Sequence, residues 1–336
     1  MSPETATPLL IVDRLEKSFA ARNSNPFKPS REKLRAVDGI SFTVERGETF
    51  GLVGESGCGK STAARAILRL VEPTGGRVSF DGIDIAGLAP EPMRKLRRRM
   101  QMVFQDSTGT LDPRMSVRDL VEEPLIVHGL GDAAARRAKV DAMLELVGIR
   151  PEFATRKPHQ FSGGQRQRIG IARALVLEPE LVVLDEPISA LDVSVQAQIL
   201  NLLKDLQERL GLSYVFIVHD LTVAEFFCDR LAVLYLGQVM ESGAASELFS
   251  NPQHPYTVSL LSAVPRVGTK GSNRIILEGE VSPLGSGAST GCAFRARCPV
   301  GRDRPICASD RPVLAPRGTG DHTVACHFPG ELRAAP

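Results

Sequence analysis

Thr49 to Val53 (TFGLV) reads as a short apolar strand. It runs without a break into Gly54, Glu55, Ser56, Gly57, Cys58, Gly59, Lys60, Ser61 and Thr62, and the stretch from Thr62 to Val71 spaces its apolar side chains as a helix does. A strand, a glycine-rich turn of this spacing and a helix in succession leave a chain few choices. The glycines let backbone N–H groups turn inward around an anion, and the helix N-terminus adds positive potential at the same point. Lys60 is placed to reach the outer phosphates of a bound nucleoside triphosphate, and the Ser61 hydroxyl to ligate Mg²⁺.

A second run, Leu181 to Pro187 (LVVLDEP), reads as a buried parallel strand ending in two carboxylates. Asp185 can hold Mg²⁺, and Glu186 can orient or deprotonate an attacking water. Further strands are expected at Leu9–Val12, Ile40–Val44, Arg77–Phe80, Met100–Phe104 and Ser213–Asp220. Helical spacing appears in 93–99, 116–130, 132–149, 161–175, 193–211 and 221–230. Strands alternating with helices predict an α/β fold on a mainly parallel sheet. Residues 20–35, rich in Asn, Pro, Ser and basic side chains, read as an exposed loop. After about Asn251, Pro, Gly, Ser and Arg become frequent and a small loop-rich tail is expected.

Bulk properties narrow the function classes. The 336 residues carry 41 basic and 39 acidic side chains, a net +2, which gives no electrostatic case for a nucleic-acid partner. No window holds the roughly 18 consecutive apolar residues of a membrane span. The N-terminal residues lack the pattern of a secretory signal, so a cytosolic protein is expected, with any membrane association made through another subunit. In a reducing compartment, the cysteines crowded near the C-terminus suggest a metal site before a disulfide framework.

Phe161-Ser162-Gly163-Gly164-Gln165-Arg166-Gln167-Arg168 stands at the head of a helical run, shortly before the Leu181 strand. Ser162 and the glycine amides form a second phosphate nest at a helix N-terminus. With the two motifs above, this run resembles the signature of ABC ATPases. That resemblance extends to Gln105 as the Q-loop residue, Asp192 in the D-loop run SALD, His219 as the H-loop histidine and Phe19 as the aromatic that stacks on adenine. An ordinary core Phe remains an alternative for Phe19. GESGCGKS, ISALDVSVQAQILNLL, NPQHPYTVSLLSAVP and the cysteine-bearing tail look like the ATPase subunits of oligopeptide/dipeptide importers.

The resemblance implies a P-loop ABC nucleotide-binding domain, with a mainly parallel sheet, an antiparallel β part and a helical subdomain, then a small cysteine-containing C-terminal appendage. By the same resemblance, the ATPase domain would occupy 1–250, with its helical subdomain at about 106–160, and the tail 251–336. ATP and Mg²⁺ would be bound, the ion by Ser61, Asp185 and Gln105. Ser162, Gly163, Gly164, Gln165 and Asp192 would serve the nucleotide of a second, related ATPase subunit, in a heterodimer. Two membrane permease subunits and, indirectly, a solute-binding protein complete the implied partners, at the cytoplasmic face of the inner membrane. Residues 20–35 and AVDGISF resemble one of the two paired ATPases of such importers. Nickel or another small solute is an alternative cargo, and a soluble ABC ATPase unconnected with transport is the rival class.

The tail spacing is Cys292-x5-Cys298-x8-Cys307-x18-Cys326. Four thiolates suit Zn²⁺ or a 4Fe–4S cluster. The resembling importers associate this pattern with the cluster, and free thiols or disulfides stay open. His322 and His327 flank Cys326 and are candidate substitute ligands. Cys58 and Cys228 read as ordinary small or core residues.

Overall fold

The computed structural model describes residues 7–20, 33–105, 107–264, 275–277, 290–318 and 320–332. The strands are β1 (Leu10–Ala20), β2 (Lys33–Val44), β3 (Thr49–Val53), β4 (Gly75–Phe80), β5 (Ile83–Asp84), β6 (Met100–Val103), β7 (Leu181–Asp185), β8 (Ser213–Val218), β9 (Arg230–Tyr235), β10 (Gln238–Ala244), β11 (Ala315–Pro316) and β12 (Thr323–Val324). The helices are α1 (Lys60–Ile67), α2 (Pro90–Leu96), α3 (Ser107–Thr110), α4 (Val117–Val127), α5 (Ala133–Leu146), α6 (Gly163–Leu175), α7 (Val193–Leu210), α8 (Leu221–Phe227), α9 (Ala245–Ser250), α10 (Pro255–Ser262) and α11 (Pro305–Ser309). The chain divides into two compact units, one of residues 1–43, 49–86 and 217–336, the other of 44–48 and 87–216.

In the first unit, β2, β1, β4 and β5 form one sheet in that order, with β1 and β4, and β4 and β5, paired antiparallel. A second sheet pairs β3 with β9 in parallel, Phe50 opposite Arg230 and Val53 opposite Val233. β9 turns back into β10 through Leu236 and Gly237, whose φ values are 46° and 76°. Two successive positive φ angles match the right-handed twist of a tight hairpin. β10 then pairs with β12, and β12 with β11, so the C-terminal segment extends this sheet.

In the second unit, β6 and β7 run parallel in register from Met100 opposite Leu181 to Val103 opposite Leu184. Every residue of β7 is buried, as its unbroken apolar run requires. Ser116 caps α4 and Asp132 caps α5, each accepting from a backbone N–H three residues on. Tyr214 in β8 is buried and donates its hydroxyl to Leu203 O in α7 at 2.9 Å.

The first two strands are longer than the apolar runs at Leu9–Val12 and Ile40–Val44. Exposed and half-buried polar residues continue both strands past those runs. The ends of the 20–35 insertion therefore belong to strands, while residues 21–32 lie outside the described part. The β9–β10 hairpin carries no turn signal strong enough to read from sequence. Nor does α10, whose residues Pro255, Tyr256, Thr257, Val258, Ser259 and Leu261 are buried; a helix enclosed on most sides has no amphipathic stripe to betray it.

Glu241, with no exposed surface, anchors the tail. Its carboxylate accepts from Gln253 N (2.7 Å), His254 N (3.0 Å) and His322 Nε2 (2.7 Å), and His322 Nδ1 reaches Glu247 at 3.1 Å. Hydrogen bonding to Glu241 raises the His322 pKa. Beside it, His254 caps α10 by accepting from Tyr256 N, and burial lowers its pKa to about 4. An unfolded-state histidine titrates near 6.5, so as pH falls through that value the unfolded chain takes up a proton that His254 refuses. That term withdraws roughly 3 kcal/mol of stability between about pH 6.5 and 4. His322 contributes in the opposite sense, its stabilisation being fully present below its unfolded pKa and lost as pH rises through the folded one. His254→Asn keeps a capping acceptor and removes the titration. Denaturant unfolding should therefore show a shallower loss of stability from pH 7 to 4 for the variant than for the wild type. Equal slopes would remove His254 as the cause.

Candidate active site

The phosphate loop joins β3 to α1 in the first unit. Gly54, Gly57 and Gly59 all have positive φ. At Gly59, with φ 104°, a Cβ would stand 2.0 Å from Ala36 O, so only glycine fits. Gly59 is also the N-cap of α1, and no side chain caps that helix end. Lys60 is buried, and its Nζ donates to Gly54 O (2.8 Å) and Glu55 O (3.0 Å). The ammonium thus lies within the loop's own curve, where a phosphate could exchange for the carbonyls. Glu55 N–H donates to Tyr256 Oη at 3.1 Å. Cys58 is buried, and burial raises its thiol pKa, so it is packed rather than reactive. Phe19 lies near the end of β1 with 41% of its surface exposed and Lys17 Nζ 5.0 Å from its ring centroid. His219 is exposed immediately after β8, before Asp220, which caps α8 by accepting from Thr222 N.

The second unit carries the acidic residues. Asp185, 1% exposed, ends β7. Glu186 follows with φ 47°, a conformation costly for a side-chain-bearing residue. Gln105 Nε2 donates to Glu186 Oε2 at 2.7 Å, uniting two residues 81 positions apart. Ser189 Oγ donates to Glu186 O, and Gln196 of α7 donates to Ile188 O (3.2 Å) and Leu191 O (2.9 Å), holding the turn before Asp192. Gln196 is a part of the site that sequence reasoning misses, because no local motif marks a side chain that satisfies carbonyls of the preceding turn.

Ser162 caps α6. Its Oγ accepts from Gln165 N at 3.3 Å while Gln165 Oε1 accepts from Ser162 N at 3.0 Å, a reciprocal capping box. Ser162, Gly163 and Gln165 are exposed, so this helix end faces outward from its own chain. In the same unit, a groove of ≈ 210 Å³ is lined by residues including Met102, Phe104, Leu111, Pro124 and Arg173.

In the first unit, Cys292, Cys298, Cys307 and Cys326 line one cavity with Phe294 and Phe328, all four as free thiols. Gly301 N–H donates to Cys298 Sγ (3.2 Å) and Phe328 N–H to Cys326 Sγ (3.3 Å). Burial pushes Cys292 up to about 11 and Cys326 up to about 12. Among the described residues no group of three or more His, Cys, Asp or Glu side chains has the arrangement of a metal-ion site. His322, a candidate ligand from its place beside Cys326, is instead bound to Glu241 and Glu247. His327 lines the cavity, as does His254.

Comparison with known proteins identifies the family. A family model described as "ABC transporter" matches residues 37–189, and one described as "Oligopeptide/dipeptide transporter, C-terminal region" matches 240–307. The oligopeptide transport ATP-binding protein AppF of Bacillus subtilis is 47% identical over 332 residues, 98% of this chain and 99% of its own. The chain belongs to the ABC transporter ATP-binding protein family. A putative peptide import ATP-binding protein of Brucella ovis, BOV_A0347, is 49% identical over 323 residues, 96% of this chain and 98% of its own. Among solved structures, the dimeric ATP-binding cassette MJ0796 in a post-hydrolysis state with ADP and Pi superposes with TM-score 0.62 at 33% identity, covering 70% of this chain and 98% of that one. CbiO1 of Clostridium perfringens, part of an ABC transporter complex, gives 0.62 at 30% identity, with 72% and 91% covered. The α/β, P-loop ABC fold expected from the motifs is therefore the fold observed. Among the described residues no helix of this ABC protein is long and apolar enough to cross a membrane.

Proposed function

We propose that this chain is the ATP-binding and ATP-hydrolysing subunit that drives an importer of di- and oligopeptides, bound peripherally at the cytoplasmic face of the inner membrane. The observation that carries the reading is the pairing of an ABC phosphate loop with a C-terminal region of the oligopeptide/dipeptide type in one chain. The exposed cap of α6 supports a composite site, in which Ser162 to Gln165 of one ATPase complete the nucleotide site of another. Phe19 would stack on adenine, and Gly54 to Thr62 would cradle the phosphates. Ser61, Asp185 and Gln105 supply the oxygen donors that suit Mg²⁺, which would neutralise charge on the phosphates. Glu186 would take the proton of the attacking water, held for that task by Gln105, with His219 against the terminal phosphate and Asp192 at the subunit junction. Residues 1–250 would form the ATPase domain, with its helical part at about 106–160 and the tail beyond.

The partners proposed are a second, related ATPase, two permease subunits and, indirectly, a solute-binding protein. The groove beside Phe104 and Pro124, lined by both apolar and polar side chains, would seat a permease segment. The cysteine lobe would hold a 4Fe–4S cluster through Cys292, Cys298, Cys307 and Cys326. Support comes from the apolar cavity that the four cysteines share and the two N–H groups that donate to their sulfurs. Such a group would supply a structural cross-link to a lobe with little core of its own.

Purification of the tagged protein from its native membranes under anaerobic conditions tests the assembly. Two multi-span permeases and a second ATPase are expected to co-purify, with iron and acid-labile sulfide in the chain. A soluble complex with no membrane protein would overturn the transport reading, and zinc without sulfide would overturn the cluster alone.

A further inference from the structure

Glu55 is gripped from three sides. Its N–H donates to Tyr256 Oη, its carbonyl accepts from Lys60 Nζ, and its carboxylate accepts two hydrogen bonds from Arg297. These two run from Nη1 to Oε2 at 2.6 Å and from Nη2 to Oε1 at 3.1 Å. The Arg297 side chain is only 9% exposed, against 28% for Glu55, and its guanidinium lies 5.9 Å from the Tyr235 ring centroid. Arg297 closes a single 3-10 turn, Arg295–Arg297, that runs directly into Cys298. Within that turn Arg295 N donates to Cys292 O, and Cys292 N in turn to Cys307 O. The cysteine lobe thus builds the seat from which Arg297 reaches the phosphate loop.

A carboxylate in a loop built to receive a triphosphate is electrostatically adverse, since it repels the incoming charge. A bidentate guanidinium both cancels that charge and fixes the side chain that bears it. We propose that Arg297 is a positioning residue for the phosphate loop: it neutralises and orients Glu55, so that the C-terminal lobe sets the affinity of the nucleotide site. Arg297 touches no substrate and acts through Glu55. The inference rests on residues 54–62 being the ATP-binding loop.

The test is Mg-ATP binding by calorimetry on the full chain. Arg297→Ala leaves Glu55 as an uncompensated carboxylate and is expected to weaken ATP by about tenfold. Adding Glu55→Gln removes the charge that needed compensation and should restore affinity to within about threefold of wild type. Lys60→Ala is the control and should abolish binding. Wild-type affinity in Lys60→Ala would overturn the loop reading itself. Loss in Lys60→Ala with wild-type affinity in Arg297→Ala would overturn the brace. So would a loss in Arg297→Ala that Glu55→Gln does not relieve, because it would make the arginine a structural tie only.

Discussion

Glu186→Gln is expected to cut ATP turnover by the assembled transporter by about a hundredfold or more while leaving ATP affinity within about threefold. Gln is nearly isosteric with Glu, and its amide oxygen can still accept the hydrogen bond from Gln105 Nε2. What it loses is the capacity to take a proton from water. The effect should therefore fall on turnover and spare binding, the signature of an interaction realised only in the transition state. The local backbone points the same way. A non-glycine residue at φ 47° costs about 1–3 kcal/mol and persists only where its surroundings hold it. Ser189 and Gln105 are two of the groups that do so here. Phosphate release and equilibrium nucleotide binding, measured on the same preparation, give the two numbers. Normal turnover in the variant would take the role of base from Glu186.

Gly59→Ala should destabilise the fold by about 2–5 kcal/mol, from a strained φ combined with a backbone clash, and should abolish nucleotide binding. The added Cβ would meet Ala36 O at 2.0 Å, so β2 or the start of α1 must move, and Lys60 moves with the helix. Gly57→Ala is the informative contrast. Its φ is 79°, but a Cβ there has nothing within 4 Å, so only the conformational cost of about 1 kcal/mol remains. Chemical denaturation of the two variants separates close approach from backbone strain. Equal stability would contradict the tight contact between the loop and β2.

The parts of the site legible in the sequence are those made from contiguous runs with a backbone requirement. The strand, glycine turn and helix at 49–71 declare themselves because each piece has its own local signature, and the helix N-terminus at Ser162–Gln165 is readable for the same reason, though not its reciprocal capping box. Arg297 could not be found that way. It lies 242 positions from Glu55, in a segment whose composition suggests only loops. The Glu241–His322 pair is hidden equally well, since a buried carboxylate looks like any other until the fold surrounds it. α10 escaped because burial on most of its surface removes the apolar stripe by which helices are recognised. The long β1 and β2 escaped because their outer ends are polar. The strands run on where apolar alternation has stopped.

ATP hydrolysed with this chain's Glu186 is proposed to power peptide entry. Uptake of a labelled oligopeptide into vesicles carrying the reconstituted importer, with ATP supplied on the side of this subunit, tests it most directly. Uptake that requires ATP in the wild type and disappears in Glu186→Gln is the expected result. Uptake that continues at the wild-type rate with Glu186→Gln, or ATP hydrolysis that never moves peptide, would contradict it.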